Sequence, residues 1–514
     1  MQTLKRLFCI LALTLPALLA LAADPAPKPD AKPAADAPKD KAKEGEEKRS
    51  ETRHRLTLEG QTFDFTAVAG TILLRDDEQK PTASIFYVAY TRDGVKDLGT
   101  RPVLFSFNGG PGSSSVWMHL GLLGPQRVVL AEDGSALPPP YRLVTNEFSL
   151  LDVADLVFID PVSTGFSRAT DPKESGKFYG VKEDARAVGE FIRLYLTRNL
   201  RWASPKFIIG ESYGTTRAAA LSGELSRRHK LNLNGIILVS TVLNFQTLDF
   251  ASGNDLPYLL YLPSYTATAW FHKQLPPDLQ ALPLTNVLAL ASQFAATNYN
   301  LALFRGASLG ADERRSLAGQ LARFTGLPAD YAEQADLRVP MGRFARELLV
   351  AQHRVVGRYD GRYTGLVRDR LANSTEQDPS FEAVASAFSS AFNHYVRTDL
   401  KFESDLPYEV LTAVGPWNWG EVNGYLNVAE TLADAMTRNP FLKVQVCCGY
   451  YDLATPFFAT QYTFHHLGVD PSLLDNVTLD YYTAGHMMYL NQPDLKKQKA
   501  DLARFIHAAS APAK

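Results

Sequence analysis

The sequence predicts an α/β protein: a mostly parallel β-sheet covered on both faces by helices, interrupted late by a largely helical insertion. Three observations predict it. Four apolar runs, Val103 to Phe107, Leu156 to Ile159, Phe207 to Ile209 and Ile236 to Val239, are too continuous to leave a solvent face, so they read as strands buried on both sides. Segments of helical spacing lie among them, and this alternation is what parallel pairing requires, because each crossover needs about a helix of chain. The rhythm then breaks near Asn244 and resumes only at Val444.

Bulk composition agrees with a large core. Of 514 residues, 46% are hydrophobic and 21% charged, with a formal net charge of -2. Such a balance offers no field for nucleic acid or an anionic membrane, so neither is expected as a partner. Residues 1–23 read as a secretion signal: Lys5 and Arg6 precede an apolar stretch from Leu7 to Leu21, followed by small residues at Ala20, Ala22 and Ala23. That stretch is short for a bilayer and contains Thr14 and Pro16, so no stable membrane insertion is expected. Residues 24–50 are Ala, Pro, Lys, Asp and Glu with almost nothing to bury, a tether. Three cysteines are present; beyond Cys9 they are the neighbours Cys447 and Cys448, which read as small buried strand residues and not as a disulfide framework. An exported protein, periplasmic or secreted, is the expectation.

The elements follow in order. Leu56 to Phe65, Thr71 to Leu74 and Ser84 to Tyr90 read as the first strands, before Val103 to Phe107 and Leu156 to Ile159. Val188, Phe191, Ile192 and Tyr195 form the apolar stripe of a helix over 182–196; Ala218, Leu221 and Leu225 form another after Phe207 to Ile209. A catalytic domain over 51–243 and 424–514 and a cap over 244–423 are expected. Inside the cap, Val287, Leu288, Ala291 and Phe294 keep helical spacing, as do Leu317, Leu321 and Phe324 between an Asp312 cap and Gly326. Val444 to Cys448 and Val477 to Tyr481 are the last strands and Leu495 to Ile506 the last helix.

The sharpest chemical signal is Gly210-Glu211-Ser212-Tyr213-Gly214, placed directly between a strand and a helix. A serine there sits on a strained turn that exposes its hydroxyl at the sheet edge, the nucleophile position of an α/β-hydrolase. Serine needs an imidazole to take its proton, and the imidazole needs a carboxylate to orient it. In this architecture both come later in the chain, acid first. His486 follows the strand ending at Tyr481; His465, His466 and His507 fall in helices, and His272, His353 and His394 in the insertion. Asp452 follows the strand ending at Cys448, whereas Asp470, Asp475 and Asp480 hold no such place. The expected triad is therefore Ser212, His486 and Asp452. An oxyanion needs two N–H donors, one from Tyr213 and one from the loop Asn108-Gly109-Gly110-Pro111-Gly112 after an early strand. Read alone, that loop's glycines serve an ordinary turn equally well.

Taken together, Asn108 to Gly112, Gly210 to Gly214 and Ala484-Gly485-His486-Met487 resemble the serine carboxypeptidase family, the group of cathepsin A and carboxypeptidase Y, as does the segment Phe158 to Ser167. The resemblance implies release of C-terminal amino acids from peptides, at acidic pH. It places the N–H groups of Gly110 and Tyr213 in the oxyanion hole, and assigns Asn108, Gly109 and Glu211 to the substrate's C-terminal carboxylate. A carboxyl group holds another carboxylate only when a proton lies between them, so Glu211 must be neutral to bind. Two positions depart from the family. Ser113 stands where a disulfide cysteine is usual, and Leu122 where many members carry a second glutamate, so burial has to raise the pKa of Glu211. The competing readings are an esterase or acyltransferase with the same triad, which needs no carboxylate clamp, and a non-catalytic scaffold, which would not keep all three triad residues. No metal or phosphate-binding pattern occurs, and no cofactor is expected. Oligomeric state is not legible.

Overall fold

In the computed structural model, residues 46–367 and 377–511 are described. The expected signal segment and most of the tether lie outside the described residues. The main sheet is built from β1 (Arg49–Leu58), β2 (Gln61–Arg75), β3 (Pro81–Arg92), β4 (Val103–Phe107), β5 (Asp155–Ile159), β6 (Lys206–Glu211), β7 (Gly235–Val239), β8 (Lys443–Gly449) and β9 (Val477–Tyr482). In space the order is β1-β2-β3-β5-β4-β6-β7-β8-β9. From β5 to β9 every neighbouring pair is parallel, and β1, β2 and β3 extend the sheet antiparallel.

The helices are α1 (Val181–Arg198), α2 (Tyr213–His229), α3 (Leu256–Phe271), α4 (Leu284–Phe294), α5 (Ala311–Thr325), α6 (Pro379–Thr398), α7 (Ala429–Arg438) and α8 (Gln492–Ser510), with shorter turns between them. The pleat of the central strands sorts the core into two layers. Val103, Phe105, Ile208, Ile236 and Leu238 face one layer with α1, α2 and α7; Leu104, Phe207, Ile209, Ile237 and Val239 face the other with α8. Every side chain of β4, β5 and β7 is buried, which is why these runs carry no polar alternation.

Four details differ from the sequence reading. The run Leu56 to Phe65 is not one strand: the chain reverses at Glu59-Gly60, with φ of 47° and 79°, and forms the β1–β2 hairpin. The sheet also begins inside the segment read as tether, since β1 starts at Arg49 and Glu47 accepts from Leu73 N–H at 2.9 Å. Backbone pairing on an edge strand does not require apolar side chains, and composition therefore missed it. Gly310, not Asp312, precedes the first turn of α5, and Asp312 lies within that turn. Finally, the segment read as cap is not all lid. α3, α4 and α5 place most of their buried residues in two further apolar clusters, although Ala267 and Leu288 reach the main core, and Val384, Phe388 and Phe392 of α6 join the same core layer as Leu104 and α8.

The loop at 409–418 is tied down by main-chain bonds. Ser114 N–H donates to Val410 O at 3.0 Å, Thr412 N–H to Gly112 O at 2.9 Å and Gly165 N–H to Glu409 O at 2.8 Å. Ser113 thus sits in a β-bridge to Leu411 at the position where the resembled family has its cysteine. No described helix is long and apolar enough to cross a membrane.

Candidate active site

The carboxyl ends of four parallel strands meet on one edge of the sheet. β4 connects onward to β5 on one side, while β6 lies on its other side, so a crevice opens between the ends of β4 and β6, the place where open α/β sheets bind ligands. Asn108, Gly109 and Gly110 leave β4 there, and Glu211 and Ser212 leave β6. Asp452 follows β8 and His486 follows β9.

Ser212 has φ 61° and ψ -129°, a region costly for a side-chain-bearing residue and held here by its surroundings. Its N–H donates to Val239 O at 2.9 Å, and Thr215 N–H donates to its carbonyl at 2.8 Å as α2 begins. The turn is so tight that a Cβ on Gly210 would lie 2.1 Å from Gly214 O, the close passage that two flanking glycines permit. Gly109 presses against this turn from β4: a Cβ there would lie 2.5 Å from Tyr213 N. The Asn108–Gly110 backbone and the start of α2 are therefore in direct contact, as two cooperating N–H donors require.

His486 is buried, and its Nδ1 lies 2.8 Å from Asp452 Oδ2. Asp452 is in turn fixed on all sides: Oδ1 accepts from Ala454 N–H at 2.7 Å and Thr455 N–H at 2.8 Å, and Oδ2 from the Thr455 hydroxyl at 2.8 Å. Burial alone would lower the pKa of His486, but the charge of Asp452 and its hydrogen bond outweigh it and leave the imidazole above its ordinary value. With Nδ1 engaged, Nε2 is buried with no hydrogen-bond partner among the described residues, and His486 and Ser212 line the same cavity. The backbone of His486 is clamped on both sides, its N–H donating to Tyr359 O at 2.6 Å and its carbonyl accepting from the Ser240 hydroxyl at 2.6 Å. The Tyr359 ring stacks on the imidazole with centroids 5.0 Å apart.

Glu211 lines that cavity too, although only 4% exposed. Burial pushes its carboxyl up to about 7, against the opposing pull of the His486 charge and a hydrogen bond from Tyr489. Asn108 stands beside it; its Oδ1 accepts from Met118 N–H at 3.3 Å, and its Nδ2 is buried without a hydrogen-bond partner. The loop is anchored from below, where Arg217, buried and paired with Asp184 at 2.7 Å, donates to Asn108 O at 2.5 Å.

All eight residues singled out from sequence gather at this edge. Four contributors were not found that way: Thr455, Ser240, Tyr359 and Tyr489. Thr455 lies three residues from Asp452, its own partner, and was legible in principle; Tyr489 lies three residues from His486, but its partner is Glu211, and it, Ser240 and Tyr359 are brought to their partners only by the fold. Among the described residues no cluster of side chains suits a metal ion.

The serine carboxypeptidase family model matches residues 59–259. Serine carboxypeptidase-like 36 of Arabidopsis thaliana is 32% identical over 175 residues, covering 33% of this chain and 34% of the relative. The pheromone-processing carboxypeptidase KEX1 of Saccharomyces cerevisiae is 36% identical over 114 residues, 21% of this chain and 14% of that one. The chain thus spans about a third of the length of the first curated relatives it matches. In structure it is similar to a prohormone-processing carboxypeptidase from Saccharomyces cerevisiae, with a TM-score of 0.53 at 17% identity over 86% of this chain and 91% of the other, which shows a shared α/β-hydrolase fold. Over residues 59–259 the chain is thus similar to the serine carboxypeptidase family, and in its overall fold to an α/β-hydrolase.

Proposed function

We propose that this protein is a serine carboxypeptidase that releases C-terminal amino acids from peptides through an acyl-enzyme. The observation that carries the proposal is Glu211, a buried carboxyl raised to about 7 that shares one cavity with Ser212 and His486. An esterase has no use for such a group beside its nucleophile. In the proposed reaction Ser212 Oγ attacks the scissile carbonyl as His486 Nε2 takes its proton, and Asp452 holds the ring and stabilises its charge. The N–H groups of Gly110 and Tyr213 hold the oxyanion. His486 then passes the proton to the leaving amine, and water repeats the sequence to free Ser212. Asn108 Nδ2, the Gly109 N–H and neutral Glu211 hold the departing residue's carboxylate, so that a free C terminus is selected. The catalytic domain is assigned to 51–243 and 424–514, with 244–423 supplying the cap and, through Tyr359, one wall of the site. The N-terminal segment supports export, to a periplasm or outside the cell.

The pH dependence tests this reading. Glu211 must carry its proton to bind peptide, so kcat/KM for a peptide acid falls as pH rises through about 7. Ester hydrolysis, which does not use Glu211, keeps its rate over that range. A peptide profile flat from pH 5 to pH 9 contradicts the assignment.

A further inference from the structure

Tyr489 follows His486 by three residues and lies fully buried beneath the site. Its hydroxyl donates to Glu211 Oε2 at 2.6 Å. Room for the ring comes from Gly121, where a Cβ would lie 2.7 Å from Tyr489 Cε2 and 2.8 Å from Cδ2. The neighbouring Leu122 is buried and apolar and brings no hydrogen-bonding side chain. Asn108 is the other polar side chain beside the carboxyl, and like Tyr489 it favours the ionised form of Glu211. The titratable groups acting on Glu211 are His486, Asp452 and Tyr489, and Tyr359 senses its charge from the cap side.

On the carboxypeptidase reading above, we propose that Tyr489 is the positioning residue of the carboxylate clamp: by occupying Glu211 Oε2 as a donor, it leaves Oε1 as the oxygen that presents the acid proton to the substrate's C-terminal carboxylate. A phenol does this differently from a second carboxyl group. Burial, followed by the nearby Glu211 charge, holds the Tyr489 hydroxyl proton well above the ordinary tyrosine range, so it donates throughout the working pH and never shares its proton away. It also favours the ionised form of Glu211 against the effect of burial. Tyr489 therefore lowers the upper pH limit of peptidase activity, together with the larger effect of the His486 charge, as well as orienting the clamp. Gly121 makes the arrangement possible, because any side chain there displaces the ring.

The test compares wild type, Tyr489→Phe and Gly121→Ala on an N-blocked dipeptide, its C-terminal amide and an N-blocked amino-acid ester, each across pH 5 to 9. Tyr489→Phe keeps the buried ring and removes one hydroxyl. Loss of one hydrogen bond to a carboxylate should move the fall in peptide kcat/KM to higher pH by about one unit. At pH 5 the preference for acid over amide should drop several-fold, mainly through KM. Gly121→Ala, which keeps the tyrosine but pushes its ring, should produce the same shift. If Tyr489→Phe retains the wild-type midpoint and acid preference, or moves the midpoint to lower pH, the assignment of Tyr489 is wrong. Failure of wild type itself to prefer acid over amide overturns the carboxypeptidase reading instead, which keeps the two failures distinct.

Discussion

At the scale of single residues, the contact between Asp452 and His486 is the best defined part of the site. Asp452 uses both oxygens, three of its hydrogen bonds coming from Ala454 and Thr455, before it orients His486. Replacing Asp452 with Asn should leave the backbone in place but turn the imidazole to the wrong tautomer, lowering kcat by about 10⁴-fold with little change in KM. Steady-state kinetics on a peptide acid measures this; a loss below tenfold would remove Asp452 from the role proposed for it. Gly109 makes a second prediction. Because a Cβ there meets Tyr213 N at 2.5 Å and Glu211 O at 2.7 Å, Gly109→Ala must separate the β4 loop from the nucleophile turn. Activity should fall at least 100-fold, on the order of one lost oxyanion donor, while the unfolding midpoint changes far less. Sequence reading reached these residues because each lies a few positions beyond an apolar strand. It could not reach Tyr489 or Tyr359, whose partners are 278 residues away in one case and across the cap in the other.

At the scale of elements, the strands buried on both faces were the legible ones. β4 has the same bounds as its apolar run, since a strand with no solvent face buries every side chain, Ser106 included, and shows no polar alternation. The β1–β2 hairpin was lost for a different reason. Leu56 and Leu58 are buried on even positions and Phe63 and Phe65 on odd ones, so the alternation changes phase at Glu59-Gly60. That change of phase marks a two-residue turn, which splits the run Leu56 to Phe65 into two strands. The inserted segment was legible as helices but not as contacts. Its Tyr359 carbonyl accepts from His486 N–H and its ring stacks on the imidazole, which makes the inserted segment a structural support of that side chain. Tyr359→Ala should lower kcat about tenfold by loosening the imidazole, with the fold intact by circular dichroism. An unchanged kcat would show that the Asp452 contact alone positions His486.

At the scale of the whole molecule, the sheet separates stability from chemistry along its strands. The carboxyl ends carry the site. At the amino ends, buried Asp155 accepts from Arg101 at 3.0 Å and Arg201 at 2.5 Å and ties the starts of β4, β5 and β6 together. Burial is the leading influence on Arg101, lowering its pKa despite Asp155, a sign that the guanidinium depends on that carboxylate. Asp155→Asn should leave two guanidinium groups short of charge and cost about 3–5 kcal/mol in urea unfolding, without altering the pH profile of the remaining folded enzyme. The fold class was visible in the strand–helix rhythm, because parallel pairing dictates the spacing of its own crossovers. The division of the insertion was not, since α6 reads like its neighbours and only packing places it in the main core.

In the reaction proposed above, Ser212 performs the chemistry and Glu211 turns it toward free C termini. The most direct measurement compares an N-blocked dipeptide with its C-terminal amide at pH 6, using wild type, Ser212→Ala and Glu211→Gln. Wild type should prefer the acid strongly, Ser212→Ala should lose both activities, and Glu211→Gln should lose most of the preference while retaining hydrolysis of the amide. Equal wild-type rates on acid and amide, or hydrolysis surviving in Ser212→Ala, would contradict it.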